Sequence, residues 1–313
     1  MDRFPLETQN YLPSSIDSGG RRSMGYYDWT DLPYYYELGF QFGTSDRYFS
    51  SVETRTIPNR MYLFAATSFG HINNDSPPGG GWQQATIFDR LDAAGIKWRV
   101  YRVDETNSLA DWATYQRDSG KVFPISQYFT DVKSESTTPQ VVFIDRGGGS
   151  AGADEHPGSD IQTGAAEVAK IINALLVSPS WHSSAFFLSW DEPGGFYDHV
   201  QPAGLTKPDN IAPMLCCGEP SGDFAHSGLR VPLVVVSPWV KPHFVSHVVR
   251  DHTSILKFIE DRFGLQPLTA RDANADDMME FFDFSTPHLA TPPSLPSQPT
   301  NGNCDVGAET ANS

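Results

Sequence analysis

Two adjacent carboxylates, Asp191 and Glu192, lie just after the continuous apolar run of residues 185–188, with only Ser189 and Trp190 between. Such a run is typical of a strand buried on both faces, and the Pro-Gly-Gly sequence behind the acids ends it. In open α/β sheets ligands bind at the carboxyl ends of strands, and neighbouring acids repel each other unless a cation lies between them. An acidic turn is the commoner explanation for such a pair, but Asp198 and His199 follow closely and favour a site. Asp191 and Glu192 are therefore candidate ligands of a divalent metal ion.

A threonine hydroxyl, Thr56, is a candidate nucleophile. It stands two residues before Pro58, and proline is typical of the first turn of a helix. The free backbone N–H groups and the dipole at a helix N-terminus favour an anion, so a hydroxyl there could attack a bound phosphate. Capping of the helix is the commoner role of such a hydroxyl, and the spacing leaves both roles open.

A histidine, His156, precedes residues 159–162, whose Ser-x-x-Gln spacing is a capping box. The amphipathic helix that follows extends to about Leu176 and leads into the strand that ends at Asp191. The start of the helix should therefore lie at the same edge of the sheet as the two acids. A catalytic role for His156 and an ordinary exposed histidine are equally compatible with this placement.

The elements that must position these residues alternate between short apolar strands and amphipathic helices, which predicts an α/β fold. Asp251 and His252 open one of the helices, and the dipole at a helix N-terminus favours a neutral imidazole. The other predicted strands are residues 97–102, 141–144 and 231–236, and the other predicted helices begin near Pro33 and Thr86. Residues 1–27 are predicted to be a loose arm, 28–284 a folded domain and 285–313 a disordered tail rich in Pro, Ser and Thr.

Composition excludes several classes of protein. The 313 residues carry a formal charge of −16, from 22 basic and 38 acidic residues, so a nucleic acid would be repelled. No run of 18 apolar residues predicts a membrane span, and no secretory signal is visible at the start of the chain. The 3 cysteines argue against a disulfide framework.

Four ordered segments together resemble the bacterial phosphoesterase family of non-haemolytic, phosphatidylcholine-type phospholipases C and metal-dependent acid phosphatases. The resemblance spans residues 24–284. The segments are Phe49-Ser50-Ser51-Val52 with Thr56-Ile57-Pro58-Asn59-Arg60, Asp154-Glu155-His156-Pro157 with Ser159-Asp160, Trp190-Asp191-Glu192-Pro193-Gly194-Gly195-Phe196-Tyr197-Asp198-His199-Val200, and Arg230-Val231-Pro232 with Asp251-His252-Thr253-Ser254-Ile255-Leu256.

The resemblance implies an alkaline-phosphatase-like, three-layer α/β/α sandwich with a mostly parallel sheet. It implies that Thr56 is the nucleophile, that His156 contacts the transferring phosphoryl group, and that Asp191 and Glu192 bind a divalent metal ion. Phosphate esters or phospholipids are the implied substrates, and members of the family are commonly exported.

The sequence departs from the family at its start. Members begin with a buried strand that ends in a Glu-Asn-Arg-Ser-Phe-Asp-His-type motif, and nothing in residues 1–30 matches it. The sequence therefore predicts a chain that is truncated at its N-terminus and lacks the first sheet strand and half of the metal ligands.

The chemistry expected of the family is hydrolysis through a phosphothreonine on Thr56. Three alternatives stay open. They are a catalytically impaired fragment that keeps the fold, an acid phosphomonoesterase, and a sulfatase-like enzyme. The last is the weakest, because its Cys/Ser-x-Pro-x-Arg pattern is matched here in spacing but with Thr in the first place.

Overall fold

The computed structural model describes residues 3–11, 19–104, 107–146, 153–215 and 223–302. The α-helices are α1 (Phe4–Tyr11), α2 (Pro33–Gln41), α3 (Thr56–Ala65), α4 (Ile87–Ala93), α5 (Ala113–Asp118), α6 (Ile125–Asp131), α7 (Ile161–Leu176), α8 (Thr253–Phe263) and α9 (Ala270–Ala273). The strands are β1 (Gly43–Ser45), β2 (Trp98–Arg102), β3 (Val122–Pro124), β4 (Val141–Asp145), β5 (Phe186–Ser189), β6 (Leu233–Val236) and β7 (Phe244–Ser246).

The strands form two separate sheets. A three-stranded sheet has the order β3-β2-β4 with every pair parallel, and a four-stranded sheet has the order β5-β6-β1-β7. In the second sheet β6 runs antiparallel to both β5 and β1, and only β1 and β7 are parallel. The expected α/β class with mostly parallel strands is confirmed, since three of the five strand pairs are parallel. Both antiparallel pairs involve β6.

Helices cover both faces of the strands, as the three-layer prediction requires. In β2, Trp98 and Val100 pack into a core cluster with α3, α4 and α8, whereas Tyr101 packs into another cluster with α2, α6 and α7. Side chains of successive strand residues point to opposite faces, so the two clusters lie on the two faces of the sheet. The strands that were predicted from apolar runs begin and end within two residues of the predicted positions.

Helix α7 begins one residue later than the capping box predicts. Asp160 is its N-cap, because the Asp160 side chain accepts a hydrogen bond from the Gln162 backbone N–H at 2.9 Å. The Ser159 hydroxyl donates instead to the carboxylate of Asp154. Both residue types are good N-caps, so spacing alone does not decide between them. The predicted end of α7 at Leu176 is confirmed.

The segments outside the central domain contact it. Helix α1 lies in the predicted arm, and the ring of Phe4 lies 5.5 Å from the ring of Tyr197. Residues 285–302 contain no helix or strand, but Leu289 and Leu295 pack against the core. No helix in the described ranges is long and apolar enough to cross a bilayer.

Helix α8 carries a buried carboxyl group, Glu260, which is 1% exposed. No described N–H or O–H group donates to either carboxyl oxygen of Glu260, and the carboxyl group of Asp272 lies within hydrogen-bonding reach of Glu260. Burial, reinforced by Asp272, raises the pKa of Glu260 to about 9. The folded protein therefore holds Glu260 protonated at neutral pH.

We expect Glu260→Gln to stabilise the protein at neutral and alkaline pH. Between about pH 4.5 and about pH 9 the folded state holds a proton that the unfolded state has lost, so stability falls as pH rises. Glutamine mimics the protonated acid and removes this fall. The advantage of the variant should grow by up to about 1.4 kcal/mol per pH unit, measured by urea unfolding at several pH values. Exposed Glu53→Gln is the control, and an equal pH response in both variants contradicts the assignment.

Candidate active site

One guanidinium group, that of Arg60 on α3, connects the ends of two strands. Its Nε lies 2.9 Å from Oδ2 of Asp191, two residues after β5, and its Nη1 lies 3.1 Å from Oδ1 of Asp145, the last residue of β4. Nη1 also donates to the Ser108 hydroxyl at 2.7 Å and to the Arg146 carbonyl at 2.6 Å. The carboxyl ends of β4 and β5 therefore lie at one edge, around a single cation.

The charge of Arg60 is fixed by these neighbours. Burial alone would lower the pKa of the guanidinium, but the carboxylates of Asp191 and Asp145 outweigh it and raise the pKa above its ordinary value. The sequence motifs alone assign no role to Arg60. The Thr-x-Pro-x-Arg spacing is the signal that points to it, since the arginine falls one helical turn after the threonine.

Thr56 is the first residue of α3, and Arg60 follows one turn later on the same side of the helix. The loop before Thr56 is held by Asn59, a buried residue whose amide oxygen accepts from the Val52 N–H at 3.0 Å. The Asn59 amide nitrogen donates to the carbonyls of Val52 and Arg55. The motif therefore contains its own support, because Asn59 fixes the backbone that presents Thr56.

The start of α3 offers fewer free N–H groups than expected. The Ile57 N–H donates to the side chain of Asn74 at 2.9 Å, the Asn59 N–H reaches the Arg55 carbonyl at 3.4 Å, and Pro58 has no N–H. The expectation that this helix end supplies several anion-binding donors is therefore wrong for residues 57–59. Arg60 is the cationic group on this face of the helix.

His156 lies in a segment that packs beside the end of β5. The neighbouring Glu155 accepts hydrogen bonds from the Tyr35 hydroxyl at 2.6 Å and from the indole N–H of Trp190 at 2.7 Å. A Cβ atom at Gly194 would lie 2.9 Å from Pro157, so the two loops touch. His156 is exposed, and its Nδ1 lies 3.1 Å from the Pro157 carbonyl.

Glu192, one of the two adjacent acids, interacts electrostatically with His156. Burial raises the pKa of Glu192 and Asp191 raises it further, whereas the Gly194 N–H at 2.8 Å and the charges of His156 and Arg60 act in the opposite direction. His156 and Arg60 are thus both close enough to act on Glu192. The expectation that His156 lies near the two acids agrees with this arrangement, while the catalytic and metal-binding roles stay predictions.

His252 is a further residue of this edge that sequence reasoning left without a site role. Its Nε2 lies 2.8 Å from the Asp191 carbonyl oxygen and its Nδ1 lies 3.1 Å from the Tyr48 hydroxyl. Burial lowers the pKa of His252, so the imidazole is neutral, as expected from the sequence. A neutral ring that donates from Nε2 and accepts at Nδ1 satisfies both contacts and fixes the backbone of Asp191.

Asp198 has a structural role. Its two carboxylate oxygens bind Arg230 in a bidentate pair, with Nε at 2.7 Å and Nη2 at 2.6 Å. His199 is exposed. The hypothesis that Asp198 and His199 add a ligand or an acid/base pair to the site is not supported by these contacts, because Arg230 occupies the carboxylate of Asp198.

The donor set does not by itself fit a divalent metal ion. Within the described ranges, no group of three or more His, Cys, Asp and Glu side chains could hold one. Oδ2 of Asp191 pairs with Arg60, and Oδ1 accepts the Glu192 N–H at 3.1 Å. A metal bound at Asp191 would have to displace the guanidinium and recruit further ligands.

Comparison with known sequences defines the class of protein. The sequence model of the Phosphoesterase family matches residues 1–266. This match covers most of the chain, so the chain belongs to the Phosphoesterase family. The resemblance read from the four motifs is thereby confirmed.

Named relatives are plant and bacterial phospholipases. Non-specific phospholipase C3 of Arabidopsis thaliana is 32% identical over 298 residues, which cover 89% of this chain and 56% of that protein. Non-hemolytic phospholipase C of Burkholderia pseudomallei is 30% identical over 341 residues, which cover 88% of this chain and 47% of that protein. The chain spans about half the length of these relatives.

Among solved structures, a protein of the alkaline phosphatase superfamily from Vibrio parahaemolyticus aligns with a TM-score of 0.48 and 10% identity. The alignment covers 78% of this chain and 64% of that chain. Because this TM-score is low, the similarity indicates nothing about the function of this chain.

We expect Arg60→Met to destabilise the protein by about 2 kcal/mol, between the values typical of exposed and buried ion pairs. Methionine keeps the aliphatic packing but leaves Asp145 and Asp191 without their shared cation. Arg117→Met is the matched control, because Arg117 is 54% exposed and also pairs with two aspartates. Its effect should stay below about 1 kcal/mol. Urea unfolding measures both variants, and equal losses contradict a special role for Arg60.

Proposed function

We propose that the chain is a phosphoester hydrolase of the phospholipase C type, acting on phosphatidylcholine-like phospholipids. The observation that carries the proposal is the placement of Thr56 one helical turn before Arg60, which is bound to Asp191 at the strand ends. Membership of the Phosphoesterase family supports the reaction class. The names of the relatives, which are phospholipases C, support the substrate class.

In the proposed reaction the Thr56 hydroxyl attacks phosphorus and gives up its proton to water, and the bond from phosphorus to the diacylglycerol oxygen breaks. The leaving oxygen takes a proton from His156, whose exposed ring can exchange protons with water. Water then cleaves the phosphothreonine and releases phosphocholine. Nη2 of Arg60 donates to none of the described residues and is available to a phosphate oxygen.

A second candidate is a catalytically impaired chain that keeps the fold of its family. Two observations favour it. Within the described part of the chain, Asp191 and Glu192 find no third metal ligand, and the Thr56 hydroxyl has no hydrogen-bond partner that could activate it. The two candidates differ in turnover, since an impaired chain leaves substrate intact.

We expect Thr56→Ala to lower the hydrolysis of p-nitrophenylphosphorylcholine at least about 100-fold, because the variant has no hydroxyl to form the covalent intermediate. Thr56→Ser keeps a hydroxyl and should retain most of the rate. Release of p-nitrophenol in the presence of Mn²⁺ or Zn²⁺ measures all three proteins.

Equal rates for the wild type and Thr56→Ala would refute Thr56 as the nucleophile. No release by the wild type would favour the impaired chain. Faster release from p-nitrophenyl phosphate than from the choline diester would redirect the proposal to a phosphomonoesterase.

A further inference from the structure

Five large side chains beside the candidate active site are exposed to solvent. They are Met24, Tyr26, Trp29, Tyr36 and Tyr197. Tyr26 is 86% exposed and Trp29 is 67% exposed. Single exposed apolar side chains are ordinary in proteins, whereas a group of them on one connected surface marks a place where a partner binds. We call these five residues the aromatic rim.

The loop that follows β5 carries one side of the aromatic rim. The Tyr197 N–H donates to the Ser23 carbonyl at 2.6 Å. The ring of Phe196 lies 6.5 Å from the ring of Tyr27 in an edge-to-face arrangement. Both contacts attach residues 23–27 to this loop, so the rim borders the carboxyl end of β5.

Helix α2 carries the other side of the aromatic rim. Tyr34 is buried in the core and Tyr36 is exposed. Between them, the Tyr35 hydroxyl donates to Glu155 in the segment beside β5. Successive helix residues are rotated by about 100°, so the exposed face of α2 adjoins the face that borders the site. The Tyr36 hydroxyl donates to the Tyr27 carbonyl at 2.8 Å, which joins the two sides of the rim.

The charges around the aromatic rim disfavour several partners. Residues 24–41 and 190–200 carry three acidic side chains each and no Lys or Arg. Arg21 and Arg22 precede them, but each already interacts with other residues. Anionic lipids are attracted by clusters of Lys and Arg, which these two segments lack. A second copy of the chain would bring one charge of −16 against another, so like charges oppose self-association.

The residue types of the aromatic rim fit the boundary between lipid and water. Tyr and Trp combine an apolar ring with a polar group and are enriched at the level of lipid head groups. A phosphocholine head group has no net charge and ends in a quaternary ammonium, which aromatic faces attract. The acidic side chains of the surrounding segments attract the same cation. A surface of choline head groups therefore complements both the rings and the charge of the rim.

We propose that the aromatic rim binds the surface of a bilayer of zwitterionic choline phospholipid, with Tyr26 and Trp29 inserted at the level of the head groups. Binding brings the lipid head groups to the carboxyl end of β5, where the candidate active site lies. The inference rests on the proposed function, because it names the surface from which that function would draw its substrate. Binding breaks no bond, so it is measured separately from turnover.

The test uses the full chain with Thr56→Ala, which keeps the aromatic rim and stops the proposed turnover. Sedimentation with vesicles of palmitoyl-oleoyl phosphatidylcholine measures the partition of protein onto lipid. We expect the further double substitution Tyr26→Ser and Trp29→Ser to lower this partition at least about 10-fold, because two aromatic rings no longer leave water. Both side chains are exposed, and thermal unfolding verifies that the variant folds.

Phe284→Ser is the matched control. Phe284 is 54% exposed, and its ring lies 6.0 Å from the ring of Trp239. The Trp239 indole donates to the His182 carbonyl, beyond the C-terminal end of α7. Helix α7 begins beside the site and has 16 residues, so its far end lies about 24 Å away. The control removes an exposed ring outside the rim and should change the partition less than about twofold.

A second measurement leaves the aromatic rim intact and decides the question if the double variant does not fold. All 7 tryptophans lie in the described ranges, and only Trp29 among them is exposed. Phosphatidylcholine that is brominated in its acyl chains should therefore quench the tryptophan fluorescence of the bound protein. Trp29→Phe keeps an apolar ring, so it should still bind the vesicles but lose most of the quenching.

Several outcomes overturn the proposal. They are no binding to the vesicles, equal partition with and without the rim substitutions, and quenching that persists in Trp29→Phe. Tighter binding to vesicles that contain phosphatidylglycerol would assign the aromatic rim to anionic lipid instead. A dimer that the rim substitutions dissociate would assign it to a second copy. Failure of the proposed function looks different, because the chain with Thr56 would then bind the vesicles and leave p-nitrophenylphosphorylcholine intact.

Discussion

The arrangement of the site depends on one partly buried, ion-paired cation, the guanidinium of Arg60. Arg60 reaches Asp145 from one sheet and Asp191 from the other, and it fixes where the two strands end. Each aspartate alone would leave a charge at a strand end, and together they would repel each other. The guanidinium offsets both charges, and its several donors allow it to hold Ser108 and the Arg146 backbone as well. His252 also helps to fix this strand end, because its ring hydrogen-bonds to the carbonyl oxygen of Asp191.

Much of the fold and the neighbourhood of the site could be predicted from local patterns. The apolar run before Asp191 gave the strand and its end, because a buried parallel strand needs apolar side chains on both faces. Thr56 falls at a helix start because proline favours the first turn. His156 lies near Glu192 because a crossover helix must begin at the edge where its strand ends.

The long-range contacts and the strand directions could not be predicted from the sequence, each for a different physical reason. The contacts of Arg60 join residues 85 and 131 positions away, and no local spacing encodes such distances. The antiparallel direction of β6 is set by the path of the chain between β5 and β6, whose described residues, 190–215 and 223–232, form no crossover helix. Asp198 looked like a ligand in sequence, but its partner Arg230 is visible only in three dimensions. The composition of β4 and β5 indicates burial, and the tertiary structure leaves that burial incomplete.

The separation of the two sheets has a mechanical consequence. No hydrogen-bond ladder crosses from β4 to β5 within the described residues, and the crossover helix α7 with the Arg60 ion pairs forms the connection at that boundary. Tyr101 of the three-stranded sheet and Val235 of the four-stranded sheet nevertheless belong to one core cluster, so side-chain packing couples the two sheets where backbone hydrogen bonds do not. Heating would then melt both sheets in one step, because the packing that joins them is lost only when the shared core opens.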